Sequence, residues 1–219
     1  MSECGCSGPQ KTFDGMSTRY KQILWVVIAI NASMFFVEMA AGHLAGSQAL
    51  QADALDFLGD AMTYGISLAA IGASVAVRTN AALFKAFTLF AMGLWVAGST
   101  VWRVFYIAIP EAEIMGMIGF LALLANVASV LLLMKYKDGD ANVRSVWLCS
   151  RNDAIGNAAV MIAALGVWGT ASGWPDLIVA GVMAGLFLSS ATQILRQALA
   201  EKKAGQIREV IDPHSHPSS

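Results

Sequence analysis

Charged residues are scarce in this sequence, and their scarcity indicates its class. Only 13% of the 219 residues are Asp, Glu, Lys or Arg, against roughly a quarter in an average soluble domain, while 57% are hydrophobic. The formal net charge of −1 gives no field that would attract nucleic acid or acidic substrates. The three cysteines do not indicate a disulfide framework. The composition therefore predicts an integral membrane protein with no nucleic-acid partner.

The N-terminal residues do not read as a signal peptide, because they are polar and no short apolar segment with a cleavage site follows them. The sequence predicts a cytoplasmic tail at 1–20, one transmembrane domain at 21–200 and a short cytoplasmic tail at 201–219. The tails carry CGC at 4–6 and HSH at 214–216, interpreted either as metal-capture arms or as plain flexible tails. The lack of a targeting sequence favours the inner membrane of a bacterium.

Six apolar segments are each long enough to cross the hydrocarbon, which takes about 20 residues in a helix. Short polar breaks such as VRTN and PEAE separate them, and they lie near residues 23–43, 50–77, 86–109, 114–134, 145–170 and 175–199. Lys and Arg cluster in both tails and in the second-to-third and fourth-to-fifth connections, whereas the opposite side has only Arg103. By the positive-inside rule, we expect an all-α integral membrane protein of six transmembrane helices with both termini cytoplasmic.

Three carboxylates interrupt the second apolar segment, in the stretch QADALDFLGD at 51–60. Asp56 and Asp60 are one turn apart on one helix face, and Asp60 is predicted to lie about 15 Å deep, near the midplane. Hydrocarbon does not solvate such a pair, so it must face the bundle interior or a water-filled cavity and have a partner there. A divalent cation satisfies both carboxylates. A hydrogen-bonded pair of protonated acids between helices is the alternative.

The fifth segment carries a matching pair, Cys149 and Asp153, which are also one turn apart. Asp153 is predicted at the same depth from the opposite side, so antiparallel helices would bring Asp56, Asp60, Cys149 and Asp153 to one level. Three oxygen donors and one thiolate suit a tetrahedral ion of borderline softness, such as Zn²⁺ or Cd²⁺. We therefore expect Cys149 to be a ligand, with packing as a small apolar residue as the alternative.

Three further polar residues are candidate accessories to this site. Asp53 falls on the face of the second-segment carboxylates, nearer the outer surface. Asn157 extends the fifth-segment face by one turn and either offers a carbonyl oxygen or makes an interhelical hydrogen bond. Glu38, in the outer half of the first segment, either lines an outer vestibule, relays protons or pairs with a neighbouring polar group.

The stretch INASMFFVEMAAGHLAGSQALQADALDFLGD at 30–60 resembles the first two helices of the cation diffusion facilitator family of divalent-metal/proton antiporters. It has the family's [H/D]xxxD signature at Asp56 and Asp60. The stretch NVRSVWLCSRND at 142–153 is similar to the start of the family's fifth helix, which carries HxxxD or DxxxD. The resemblance covers roughly residues 20–200 and implies a homodimer.

Two departures from the family pattern bear on function. Cys149 stands where the family has His or Asp, and a thiolate tilts the site toward Zn²⁺ and Cd²⁺ and away from Mn²⁺ or Mg²⁺. About twenty residues follow the sixth segment, so we expect the family's usual cytoplasmic metal-binding domain to be missing.

The resemblance implies a secondary transporter that exports Zn²⁺ or Cd²⁺ from the cytoplasm in exchange for protons. Alternating access would expose the midplane site to each side in turn. No cofactor is expected besides the transported metal, and the absence of a nucleophile–base pair in the segments argues against an enzyme. A membrane metal-binding or sensor protein that does not transport is the alternative, although no output module is visible in the sequence.

Overall fold

A computed structural model of the protein describes residues 17–69, 75–106, 108–136 and 141–211, without the side chains of residues 67, 75–79, 81, 141–152, 197, 198 and 201–211. This part of the chain forms six long helices: α1 (Thr18–Ala45), α2 (Gln48–Ala69), α3 (Val75–Phe105), α4 (Ala112–Leu133), α5 (Ala141–Thr170) and α6 (Trp174–Ile211). A single 3-10 turn, Met134–Tyr136, follows α4. The CGC and HSH motifs of the tails lie outside the described residues.

Helix α2 is the inner helix of the bundle and packs against α1, α3, α5 and α6. The other five helices contain segments that are long and apolar enough to cross a membrane, by length and composition. Large exposed hydrophobic side chains, such as Trp95, Trp168 and Leu186, lie on those helices, and none of the described ones lies on α2. Because protein largely surrounds α2, it tolerates polar residues that lipid would not. The predicted all-α membrane architecture of six helices is confirmed.

The helix boundaries differ from the predicted segments in two places. VRTN at 77–80, predicted as a break, lies inside α3, which makes Lys85 a residue of that helix and not of a connection. Helix α6 continues to Ile211, past the predicted start of the tail at 201. Its 38 residues extend about 57 Å, well beyond a hydrocarbon layer of about 30 Å. Both differences have one reason: polar residues mark where a helix leaves the hydrocarbon, and the helix itself can continue.

The connection between α1 and α2 is a tight corner made of Gly46 and Ser47. Gly46 ends α1 with a φ of 68°, a left-handed conformation that favours glycine. The Ser47 N–H donates to the carbonyl oxygen of Gly42 at 2.9 Å. A Cβ at Gly42 would lie 3.0 Å from the backbone N of Gln51 and 3.0 Å from the Cβ of Leu50. The two helices therefore meet backbone to backbone at this point.

We expect Gly42→Ala to destabilise the bundle by about 1–3 kcal/mol, because the added methyl group presses on a helix backbone that cannot rotate away. Gly98→Ala is the matched control, since a Cβ there meets nothing within 4 Å. In the control, the higher helix propensity of alanine is expected to leave stability unchanged or to raise it slightly. Thermal unfolding of both variants in one detergent measures the difference, and equal midpoint temperatures would contradict the close contact.

Candidate metal site

Three of the four predicted metal ligands come together between α2 and α5. The carboxylate of Asp153 on α5 lies within hydrogen-bonding reach of Asp56 and of Asp60 on α2. All three side chains are partly buried inside the bundle. Like charges at such short range repel one another, and burial deprives them of water. The three carboxylates therefore require protons or a cation in the space that they share.

The fourth predicted ligand, Cys149, lies on α5 one turn before Asp153, but its side chain is outside the described ones. Among the described side chains, no set of three or more His, Cys, Asp or Glu groups has a geometry that could hold a metal ion. The described carboxylates meet pairwise through Asp153. The site is thus an open group of three oxygen donors, and the role of Cys149 stays a prediction.

Two residues that the sequence did not single out also act on these carboxylates. The hydroxyl of Tyr64, which is fully buried, donates a hydrogen bond to Oδ2 of Asp60 one turn away on α2. Lys85 of α3 lies within electrostatic range of both Asp56 and Asp60. The i, i+4 spacing on α2 could have revealed Tyr64. Lys85 was missed because its segment was interpreted as a cytoplasmic connection.

Glu38 and Asp53 form a second acidic pair on the outer side of the first group. Glu38 of α1 is fully buried, Asp53 of α2 is 2% exposed, and their side chains lie within hydrogen-bonding reach of each other. When both side chains are ionised, no described residue donates a hydrogen bond to either Glu38 oxygen or to Oδ2 of Asp53. Glu38 thus faces a polar neighbour and has no exposed surface toward a vestibule. Two such carboxyl groups need a shared proton or a cation.

Two buried asparagines also have atoms without hydrogen-bond partners. Asn157, one turn beyond Asp153, is fully buried, and neither atom of its amide makes a hydrogen bond within the described part of the chain. Oδ1 of the buried Asn126 on α4 likewise has no hydrogen-bond partner among the described residues. The interhelical hydrogen bond considered for Asn157 is therefore not seen among the described residues. A buried polar group without a partner costs about 1–3 kcal/mol, which favours a bound ion or water beside it.

The comparisons with known proteins agree with this picture. A profile of the cation efflux transmembrane domain matches residues 24–201. The chain is 29% identical over 206 residues to the zinc transporter ZitB of Yersinia pestis, covering 85% of this chain and 64% of that protein. It is 27% identical over 188 residues to the metal cation efflux system protein CzcD of Cupriavidus metallidurans, covering 78% of this chain and 58% of that protein.

The chain spans about three fifths of the length of these curated relatives. The family profile, however, covers most of the chain, with α2 to α5 in full and α1 and α6 in part. The relatives are named as a transporter and an efflux protein, in agreement with the expectation of a membrane protein that is not an enzyme. As the resemblance to cation diffusion facilitators predicts, this protein belongs to the cation efflux family.

Proposed function

We propose that this protein exports divalent metal cations from the cytoplasm in exchange for protons, through the site between α2 and α5. The meeting of Asp56, Asp60 and Asp153 inside the bundle carries this proposal. A divalent cation, as the transported substrate, neutralises carboxylates that otherwise repel one another. The relatives named as a zinc transporter and a metal cation efflux protein support the same class of substrate.

Zn²⁺ and Cd²⁺ are the favoured substrates because of the donor set. Three carboxylates and the Cys149 thiolate would give four ligands of mixed hardness, which suits a tetrahedral ion of borderline softness. The buried Asn157, whose amide has no hydrogen-bond partner within the described part of the chain, would add a carbonyl oxygen or hold a water at the edge of the site.

Proton exchange follows from the same chemistry. Carboxylates and thiolates must lose their protons to bind a metal, so metal binding releases protons and acid favours metal release. The Glu38–Asp53 pair offers a second place for a proton toward the outer face. Rocking of one helix group against another would then expose the site to each side in turn.

We propose an arrangement of the chain in the membrane as well as a transport reaction. Residues 21–200 would form the transport domain, with residues 1–20 and 201–219 as cytoplasmic tails, in a homodimer in a bacterial inner membrane. The bacterial origin of both relatives supports this location.

Transport by the purified protein in lipid vesicles tests the proposal. The vesicles contain a metal-sensitive dye and a pH-sensitive dye, and receive Zn²⁺, Cd²⁺ or Mn²⁺ from outside. Uptake of Zn²⁺ and Cd²⁺ with opposite proton movement is expected, and weaker uptake of Mn²⁺. Tight binding of metal without any uptake would instead support the alternative function, a membrane metal sensor that does not transport.

We expect Glu38→Gln to reduce the number of protons moved per metal ion while keeping metal binding. The amide fills the same space and still hydrogen-bonds to Asp53, but it cannot take up and release a proton. The dissociation constant for Zn²⁺ is expected to stay within about threefold, because no metal ligand is lost. The two dyes measure the proton-to-metal ratio directly.

Glu111→Gln is the control for this experiment, since Glu111 is an exposed carboxylate in the loop before α4. It is expected to keep the wild-type ratio of protons to metal ions. If Glu38→Gln kept that ratio as well, proton movement would belong to the metal ligands alone, and the Glu38–Asp53 pair would have no part in it.

A further inference from the structure

Asp176, the third residue of α6, is 1% exposed and accepts three hydrogen bonds from the start of α2. Its Oδ1 accepts from the Ser47 hydroxyl at 2.6 Å and from the Ala49 N–H at 3.0 Å, and its Oδ2 accepts from the Gln48 N–H at 2.8 Å. The Ser47 hydroxyl oxygen in turn accepts from the Leu50 N–H at 3.0 Å. The first N–H groups of a helix have no partners within it, so α6 supplies the N-terminal cap of α2.

Residues of α3 and of the segment just before α4 also contact the corner between α1 and α2. Arg103, at the outer end of α3, acts electrostatically on Asp176, and its guanidinium lies 3.5 Å from the position that a Cβ on Gly46 would take. The Glu111 N–H, just before α4, donates to the carbonyl oxygen of Ala45 at 3.0 Å. Arg103, the basic residue on the side with few positive charges, thus has a counter-charge. The α1–α2 corner is held from α3, α4 and α6 together.

Because α2 is continuous, its attachment at the N-terminus also affects the position of the carboxylates farther along the helix. Asp56 and Asp60 lie eight and twelve residues after Gln48 in one uninterrupted helix, which corresponds to about 12 and 18 Å. Each residue turns a helix by about 100°, so a change of register by one residue at the N-terminus would swing both carboxylates away from Asp153.

We propose that Asp176 is a positioning residue, which holds Asp56 and Asp60 opposite Asp153 by fixing the depth and rotation of α2 from α6. Asp176 itself touches no metal in this role. The inference rests on the proposed function, because it takes the three carboxylates as the metal ligands.

The test uses Asp176→Asn in the full-length protein, with Co²⁺ as the probe because its visible absorption reports the geometry of its ligands. The asparagine keeps the shape of the side chain but turns an NH₂ group toward an N–H donor. The variant is expected to elute at the same volume as the wild type and to show the same helical circular dichroism. Its Co²⁺ affinity is expected to fall about tenfold or more, and its absorption bands to shift, which a general loss of stability would not cause.

Glu113→Gln is the matched control, because it also removes a carboxylate from the first turn of a helix on the same side, and Glu113 is exposed. It is expected to bind Co²⁺ with the wild-type affinity and spectrum. Should Asp176→Asn not fold, Ser47→Ala carries the test. It removes one of the three hydrogen bonds that Asp176 accepts, together with the bond from the Leu50 N–H to the Ser47 hydroxyl, and leaves the two bonds from the α2 backbone to Asp176. A smaller loss of affinity with a shifted spectrum is expected for it.

Wild-type affinity and spectrum in the folded Asp176→Asn variant would overturn the positioning role and leave the proposed function intact. The same result for Ser47→Ala, where Asp176→Asn does not fold, would overturn it too. Failure of the wild-type protein itself to bind Co²⁺, Zn²⁺ or Cd²⁺ would overturn the proposed function and this inference with it.

Discussion

Asp153→Asn is expected to abolish metal transport, with a loss of about 100-fold or more in kcat/KM for Zn²⁺. Asp153 is the carboxylate within reach of both Asp56 and Asp60, and it comes from a different helix. Removing one partner of a buried, compensated group of charges costs about 3–5 kcal/mol, and here the bound cation would lose one of the anionic ligands that neutralise it. Asparagine keeps the size of the side chain, so the loss would reflect charge and metal ligation rather than packing.

The double variant Asp60→Asn/Asp153→Asn is expected to transport hardly worse than Asp153→Asn alone. Residues that share one bound ion act as a unit, so the second change removes little that the first has left. Initial rates of Zn²⁺ uptake into vesicles and the number of ions bound per protein measure the effect. Glu113→Gln serves as the control for loss of a carboxylate on the outer side. Normal uptake by Asp153→Asn, or fully additive losses, would show that the two helices do not share a metal.

The meeting of the three carboxylates in the candidate site could be predicted from sequence because their pattern is local. Helix periodicity puts Asp56 and Asp60 on one face, and counting residues from the ends of two antiparallel helices brings Asp153 to their level. Six apolar segments likewise give the number and order of the helices. The contact of Asp153 with both α2 carboxylates in the structure agrees with this derivation.

Contacts that depend on the arrangement of several helices could not be predicted in this way. The hydrogen bond from Ser47 to Asp176 joins residues 129 positions apart, and no periodicity links the start of α2 to that of α6. The pairing of Glu38 with Asp53 requires the close approach of α1 and α2 that Gly42 permits.

Helix α3 begins earlier than the sequence predicted, and one buried amide makes its hydrogen bond within its own helix. Lys85 was assigned to a connection because polar residues were taken as the end of a helix, and α3 carries it toward Asp56 and Asp60 instead. The amide of Asn31, a buried residue of α1, donates to the carbonyl oxygen of Val27 in its own helix at 2.8 Å. A backbone carbonyl one turn away is always available to a polar side chain in a helix, whatever its neighbours offer.

Cys149→Ser is expected to lower transport of Cd²⁺ relative to Zn²⁺ by about tenfold or more. A thiolate is a soft ligand and contributes more to the binding of Cd²⁺ than to that of Zn²⁺. A serine hydroxyl keeps its proton near neutral pH, so the site would lose a soft donor and a negative charge together. Zn²⁺ would keep the three carboxylates, which are adequate ligands for it. The ratio of initial uptake rates for the two metals is the measurement.

A second variant separates the softness of the ligand from its charge. Cys149→Asp returns an anionic oxygen donor, so Zn²⁺ transport is expected to recover while Cd²⁺ transport stays low and Mn²⁺ transport rises. The double variant Cys4→Ser/Cys6→Ser is the control, because it removes two thiols whose positions lie outside the six described helices. If Cys149→Ser kept the wild-type ratio of Cd²⁺ to Zn²⁺, Cys149 would pack as a small apolar residue. The fourth ligand would then be Asn157 or water, and selectivity would depend on the three carboxylates and the space between them.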